Sequence, residues 1–231
     1  MSFPEKRQFV LHYPKKMNLL RSEHVLFNEI KSLVNNIEPF KNPKIGLEQY
    51  SLPSDLIAFI LILTRKNLIN NNIVDLGCGT GRFTLPISKF FSERVIGVDS
   101  DFSVLNQLRS AMNKLHLHVD LLNTSIEFVE PSNWKNLFQT TIMNPPFGTQ
   151  RRGIDQVFLR KSLSYSEVVI SLHKTSTKSR NLWKRIASSY NKRSTILATI
   201  EFSVLRTFKF HRHDQHNVKV DLIRFSNKDS S

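Results

Sequence analysis

The segment Asp75-Leu-Gly-Cys-Gly-Thr-Gly-Arg82 constrains this chain more than any other. It holds three of the seven glycines, Gly77, Gly79 and Gly81, between a short apolar run, Ile73–Leu76, and a helix-patterned stretch, Arg82–Phe91. A glycine turn between strand and helix lets backbone approach a ligand without a Cβ in the way, which is what a nucleotide-binding α/β unit needs. The hydride-transfer fingerprint would place a third glycine at position 82, where Arg82 stands. The observed spacing is typical of enzymes that bind S-adenosylmethionine, a ligand with no pyrophosphate to cradle. Asp99 ends the next strand, eighteen residues after Gly81, where a carboxylate accepts from both ribose hydroxyls and excludes a 2′-phosphate. The cofactor-binding candidates are therefore Gly77, Gly79, Thr80, Gly81 and Asp99.

Around this loop, strand and helix patterns alternate. Apolar positions from Leu19 to Ile37 predict a helix over 18–37, and a turn-rich stretch, Pro39–Pro43, follows. Leu56–Lys66 reads as a buried helix, Arg94–Val98 as a strand, Phe102–Leu115 as a helix and His118–Leu122 as a strand. Thr140–Met143 is strand, Ile154–Ser166 helix, Glu167–Leu172 strand and Lys178–Tyr190 helix, with Thr195–Val204 and Val218–Phe225 as closing strands. The expected fold is α/β: a mostly parallel seven-stranded Rossmann-like sheet, helices on both faces, ending in an antiparallel hairpin. Residues 1–45 read as an N-terminal helical extension and 46–231 as the nucleoside-binding domain.

Charge narrows the function. Residues 1–45 carry eight Lys/Arg against four acids, 46–150 eight against nine, and 151–231 seventeen against six. Most of the net charge of +14 thus lies in the last third, and a polyanion suits such a field. Simple solvation by lysine is the plainer alternative. The longest apolar run, Leu56–Leu63, falls far short of the roughly 20 residues that span a bilayer, and the first sixteen residues show no secretory apolar stretch. With a single cysteine, Cys78, no internal disulfide can form, and a soluble cytoplasmic protein is expected.

The strand Thr140–Met143 runs into Asn144-Pro-Pro-Phe147. The C-terminal ends of strands in an open α/β sheet are where ligands bind. An amine on an aromatic base is a poor nucleophile because its lone pair is delocalised. The Asn144 side-chain oxygen and the Pro145 carbonyl can each accept one of its hydrogens, favouring pyramidal nitrogen. Pro145 and Pro146 stiffen the turn, and Phe147 offers a π face. The tetrapeptide occurs in DNA and RNA adenine methyltransferases and in glutamine methyltransferases acting on release factors, the latter usually with tyrosine at the position of Phe147. Charge favours nucleic acid, whose base must leave its stack to reach such a site.

Several stretches together resemble one narrow family, the methyltransferase-like protein 5 type of ribosomal RNA adenine-N6 methyltransferase and its archaeal relatives. They are Leu47–Tyr50, Asp75–Gly81, Ile142–Thr149, Ser171–Lys174, Phe208–His211 and Val220–Ser226. The resemblance implies a class I methyltransferase fold, S-adenosylmethionine as cofactor, and one adenine of RNA, in the small ribosomal subunit, as substrate. It places Gln49 and Tyr50 over the cofactor and Asn144, Pro145, Pro146 and Phe147 around the adenine. Two positions depart from the family. Ser51-Leu52 stand where Pro-Thr often follows the tyrosine, and Asn123 or Thr124 stands where an acid usually takes the cofactor's adenine amine; weaker cofactor binding is expected. The family also implies a partner, a small zinc-containing methyltransferase-activator protein that extends the sheet in a heterodimer.

Other features fit this reading without defining it. Arg151 and Arg152 follow the candidate catalytic turn, Lys174 ends a strand at the same edge, and Lys209, His211 and Arg212 lie in a basic loop; all six are candidate RNA contacts. His211, His213 and His216 lack the companion ligands of a metal site, so no metal is expected. Trp134 and Trp183 read as packing residues, and Cys78 as a small residue in the glycine loop. The rival readings are a glutamine methyltransferase and a non-catalytic RNA-binding assembly factor.

Overall fold

The computed structural model describes residues 10–12, 20–205 and 215–228. Its strands are β1 (Val10–His12), β2 (Ile73–Leu76), β3 (Val95–Asp99), β4 (Asp120–Asn123), β5 (Thr140–Met143), β6 (Val168–Lys174), β7 (Lys192–Leu205) and β8 (Gln215–Asn227). The helices are α1 (Arg21–Asn35), α2 (Ser54–Thr64), α3 (Thr84–Phe90), α4 (Phe102–Leu115), α5 (Pro131–Trp134), α6 (Ile154–Tyr165) and α7 (Thr177–Ser189). One sheet runs in the order β1-β7-β8-β6-β5-β2-β3-β4. From β6 to β4 every neighbouring pair is parallel, whereas β8 is antiparallel to both β6 and β7. The α7 crossover carries the chain two strand positions beyond β6, and β8 returns into the slot between them.

All seven expected strands are present. The sheet holds an eighth, β1, antiparallel to the outer side of β7, with Leu11 opposite Ile200. Three residues are too few to show a period-2 pattern, so this strand was invisible to periodicity. The helix after the glycine loop starts at Thr84 rather than Arg82, because Gly81 turns the chain first at φ +85°.

Alternation along the central strands builds two cores, one per face. Ile73, Val95, Ile142 and Ile170 pack beneath α2 and α3. Val74, Val98, Met143 and Val169 pack beneath α6 and α7 with Trp183. Helix α2 is apolar nearly all round because it is covered twice, by the sheet and by α1. Helix α1 is amphipathic; Ile30 and Val34 join the same core, and Lys31 pairs with Asp55 at 2.6 Å. Trp134 packs edge-on against Phe138 and Tyr165.

Gly81 belongs to this packing. A Cβ there would lie 2.3 Å from Cδ1 of Leu108, a fully buried residue of α4. His173 on β6 is also buried, its ring 4.1 Å from that of Trp183. Neither ring nitrogen has a hydrogen-bond partner among the described residues. The carboxylate opposite it in the ladder, Asp221, is taken by Arg180, at 2.7 Å to each oxygen, and by the Thr199 hydroxyl. Burial therefore holds the imidazole neutral, with its pKa pushed down to about 3 although Asp221 pulls the other way.

Two outcomes follow. Gly81→Ala forces a side chain into both a left-handed backbone and a filled space, and should cost about 2–4 kcal/mol in urea unfolding; a change within about 0.5 kcal/mol would contradict the packing role. His173 binds a proton near pH 6.5 only when unfolded, so its contribution is complete above pH 6.5 and is lost as pH falls towards 3. Between pH 7 and 4.5 this group alone should remove about 2–3 kcal/mol. His173→Leu should lose correspondingly less over that interval, and an equal loss in both proteins would show that the histidine is protonated when folded.

Candidate active site

A cleft of about 180 Å³ opens at the C-terminal ends of β2, β3 and β5. Its floor is the glycine loop. The Gly77 and Cys78 amides donate to the Val98 carbonyl at 2.8 and 3.0 Å, which pins the loop to β3. Gly77, Gly79 and Thr80 line the cleft; Gly81, facing Leu108, does not. Asp75, beneath the loop, accepts the Thr84 hydroxyl at 2.6 Å and so ties β2 to α3. Burial raises its pKa to about 7, and the neighbouring Asp99 adds to the rise.

Asp99 lines the cleft at the end of β3. Its two oxygens accept from the Gly79 and Asp101 amides, each at 2.9 Å. A carboxylate has about four lone-pair directions, so two remain for a diol. Burial raises the Asp99 pKa, and a more basic carboxylate is a stronger acceptor. The Thr80 hydroxyl is buried without a partner among the described residues. A cleft with a free hydroxyl, a carboxylate with unused acceptor capacity, and glycines where side chains would intrude fits a nucleoside such as that of S-adenosylmethionine.

Residues 38–50 strap across the cleft. Gln107 on α4 holds the strap at Pro39, its amide donating to the carbonyl at 2.6 Å. The Phe40 ring then covers Gly79, where a Cβ would come within 2.9 Å of it. Asp101 anchors the far end through Lys44 Nζ at 2.8 Å and Gln49 Nε2 at 2.9 Å. Although burial pushes Asp101 up, these bonds and one from Ser103 bring its pKa down to about 2. Gln49 thus acts on Asp101. Tyr50 reaches the other side of the cleft, and its hydroxyl donates to Asn144 Oδ1 at 2.9 Å. Burial raises the phenol pKa, so the hydroxyl remains a donor and fixes which end of the Asn144 amide is oxygen.

Asn144 and Pro146 line the cleft immediately after β5. The Phe147 ring packs at 5.7 Å from Tyr50, and Lys174 Nζ lies 5.9 Å from its centroid. One residue within the Leu47–Tyr50 motif has a contact that the sequence did not disclose. Glu48 accepts from the Phe147 amide at 2.8 Å and the Gln150 amide at 2.9 Å. Its partners lie about a hundred positions along the chain, and only a covariation signal could have linked them.

The remaining predicted residues divide. Thr124 lines the cleft; Asn123 does not, because it ends the edge strand β4 in an exposed position and its amide donates to the Asp99 carbonyl at 2.9 Å. Beyond Thr124 the wall continues through Ser125 and Glu127. Arg151 is at the cleft mouth, paired with Glu127, while Arg152 is exposed beside it. Lys209, His211 and Arg212 lie outside the described residues, as does His213. Among the described residues no cluster of His, Cys, Asp and Glu is arranged to hold a metal.

Comparison with known proteins assigns the family. A methyltransferase domain model matches residues 73–148, the stretch from β2 through the Asn-Pro-Pro-Phe turn. The rRNA N(6)-adenosine-methyltransferase METTL5 of Danio rerio is 32% identical over 205 residues, 86% of this chain and 97% of its own. The Drosophila melanogaster protein named rRNA N(6)-adenosine-methyltransferase Mettl5 is 29% identical over 203 residues, 85% of this chain and 94% of its own. Among solved structures, Pyrococcus horikoshii PH1948, described as a candidate RNA methyltransferase, superposes with a TM-score of 0.77 at 25% identity, covering 90% of this chain and 98% of its own. With the glycine loop, the acidic end of β3 and the Asn-Pro-Pro-Phe turn converging on one cleft, and with identity running nearly end to end, this chain belongs to the METTL5 family of rRNA N6-adenosine methyltransferases.

Proposed function

We propose that the RNA on which this S-adenosylmethionine-dependent adenine-N6 methyltransferase acts is small-subunit ribosomal RNA, at one adenine turned out of its stack. The observation that carries the site assignment is the placement of Asn144 in the same cleft as Gly77 and Asp99. The choice of the small subunit rests on the motif resemblance described above.

When bound, S-adenosylmethionine supplies an electrophilic methyl group on its sulfonium sulfur. Asp99 would take the ribose, Gly77, Gly79 and Thr80 the body of the cofactor, and Thr124 the adenine end. On the substrate side, Asn144 Oδ1 has one lone pair committed to Tyr50 and one left for an amine hydrogen. The Pro145 carbonyl accepts the second hydrogen, and Phe147 stacks on the base. Both acceptors raise electron density on nitrogen, and the proton leaves after transfer, so no strong base is required. Lys174 and Arg152 are exposed near this turn and would bind phosphates, as would Arg151 once released from Glu127.

The open edge of the sheet supports a docking position for the partner. Among the described residues nothing pairs with the outer side of β4; Leu122 on that strand is exposed, as are Phe102 and Phe128 on the segments before and after it in the chain, Phe128 to 78%. An open edge beside apolar side chains favours strand addition. A small zinc-containing methyltransferase-activator protein docking there would complete a heterodimer. No helix among the described residues is long and apolar enough to cross a membrane, and the cytoplasm is the compartment we assign. Residues 1–45 would serve as the extension that supplies most of the strap.

Methyl transfer to small-subunit rRNA lacking the modification, read by mass spectrometry of nucleosides, tests the reaction. Asn144→Ala should lower kcat by about 10²–10³ and Tyr50→Phe by about tenfold. Undiminished N6-methyladenosine from Asn144→Ala would remove this turn from the chemistry. Transfer to a release factor in place of RNA would favour the glutamine reading. For the partner, Phe128→Asp with Leu122→Lys should abolish co-elution of the activator on size-exclusion chromatography; a retained 1:1 complex would move the interface elsewhere.

A further inference from the structure

Glu48 stands where the backbone is least suited to it. The turn Ile45–Leu47 is a 3-10 helix closed by the Glu48 amide, which donates to the Ile45 carbonyl at 2.9 Å. Glu48 itself has φ +51° and ψ +39°, a left-handed conformation that side-chain-bearing residues seldom adopt. Glycine would be easier there, yet the carboxylate is placed where it meets two amides of one loop. Oε2 takes the Phe147 N–H at 2.8 Å and Oε1 the Gln150 N–H at 2.9 Å.

Those two amides belong to a stretch that has left β5 and not yet entered α6, so no strand or helix ladder satisfies them. Charge-assisted bonds from a carboxylate are stronger than neutral ones, and a two-point attachment fixes orientation as well as position. The residue gripped at one end is Phe147, whose ring is the candidate stacking face. The next two residues of the strap reach elsewhere in the same cleft, Gln49 to Asp101 and Tyr50 to Asn144. Three successive side chains therefore bridge the loop after β3 and the loop after β5.

We propose that Glu48 is a positioning residue, which holds the Asn144–Phe147 turn in the geometry that receives the target amine. It contacts the backbone of that turn and acts through it. This inference rests on the reading that the turn binds adenine.

The test uses the full chain, with the activator protein present where wild-type activity requires it. Glu48→Gln keeps the shape but can accept only one of the two amide hydrogens. Glu48→Gly removes the carboxylate while suiting the left-handed backbone, so it keeps the fold testable. Three readouts are compared with wild type: hydrogen exchange at the Phe147 and Gln150 amides, S-adenosylhomocysteine affinity by calorimetry, and steady-state methyl transfer to RNA. In both variants the two amides should exchange at least tenfold faster, with the glycine loop unchanged. S-adenosylhomocysteine affinity should stay within about threefold while kcat falls about tenfold in Glu48→Gln and further in Glu48→Gly. Unchanged protection of both amides, or unchanged kcat, would overturn the proposal. If the wild-type protein methylates no RNA, the functional reading fails separately, and the exchange data alone decide whether Glu48 holds the turn.

Discussion

The site depends on the register of β2 within the sheet. Asp75 lies opposite Gly97 of β3 on one side and Ile142 of β5 on the other. Three parallel strands thus reach the same edge together, and the chain leaves each of them within a residue or two of Leu76, Asp99 and Met143. The glycine loop, the ribose-binding carboxylate candidate and the Asn-Pro-Pro-Phe turn converge for that reason. A shift by one residue would turn each alternating strand over, exchange its two cores and carry these groups off the shared edge.

Crowding polar groups at a dry strand end raises an electrostatic problem, and the three aspartates there meet it differently. Asp75, hydrogen-bonded to the Thr84 hydroxyl, is pushed up to about 7 by burial. Asp99 keeps a raised pKa despite two backbone donors, which leaves it basic and still able to accept. Asp101 is brought down to about 2 by Lys44, Ser103 and Gln49, and it caps α4 through the Ser103 amide. The most firmly ionised carboxylate is the one that anchors the strap; the more basic one faces the cleft. Solvation therefore separates a carboxylate that ties the strap down from one that faces the cleft with acceptor capacity to spare.

Local spacing carried the parts of this architecture that are local. The glycine loop lies in one eight-residue segment, the strands and helices around it follow period and punctuation, and the Asn144 turn follows directly from β5. What the sequence could not disclose depends on remote neighbours. Gly81 has the same spacing as Gly77 and Gly79, yet Leu108 on a separate helix determines that it packs rather than lines the cleft. Asn123 reads as a cofactor contact, but its side chain donates back to the Asp99 carbonyl from an exposed position at the end of β4, a pairing set by the neighbouring strand. Arg151 reads as a phosphate contact, but Glu127 is near enough to pair with it. Glu48 escaped for the same reason, since its partners are set by the meeting of the strap with a loop 99 residues away.

The charges of the assembled cleft are arranged in two zones, and the substrates explain why. Glu48, Asp99 and Glu127 line the cleft together with two engaged cations, Arg82 and Arg151. Arg82 donates to the Leu52, Val34 and Ile37 carbonyls and Arg151 pairs with Glu127, whereas Lys174 and Arg152 are exposed. A sulfonium cofactor carries positive charge, which acids in the cleft would favour; RNA carries negative charge, which the exposed bases would favour. Reversing the zones would draw phosphate into the cofactor site and oppose the cation that must occupy it. The Arg151–Glu127 pair stands where the zones meet, one partner from each. A basic chain with an acidic cleft is therefore not a contradiction in composition. A net charge of +14 suits a polyanion, and carboxylates lining the cleft would disfavour phosphate there while admitting an uncharged base.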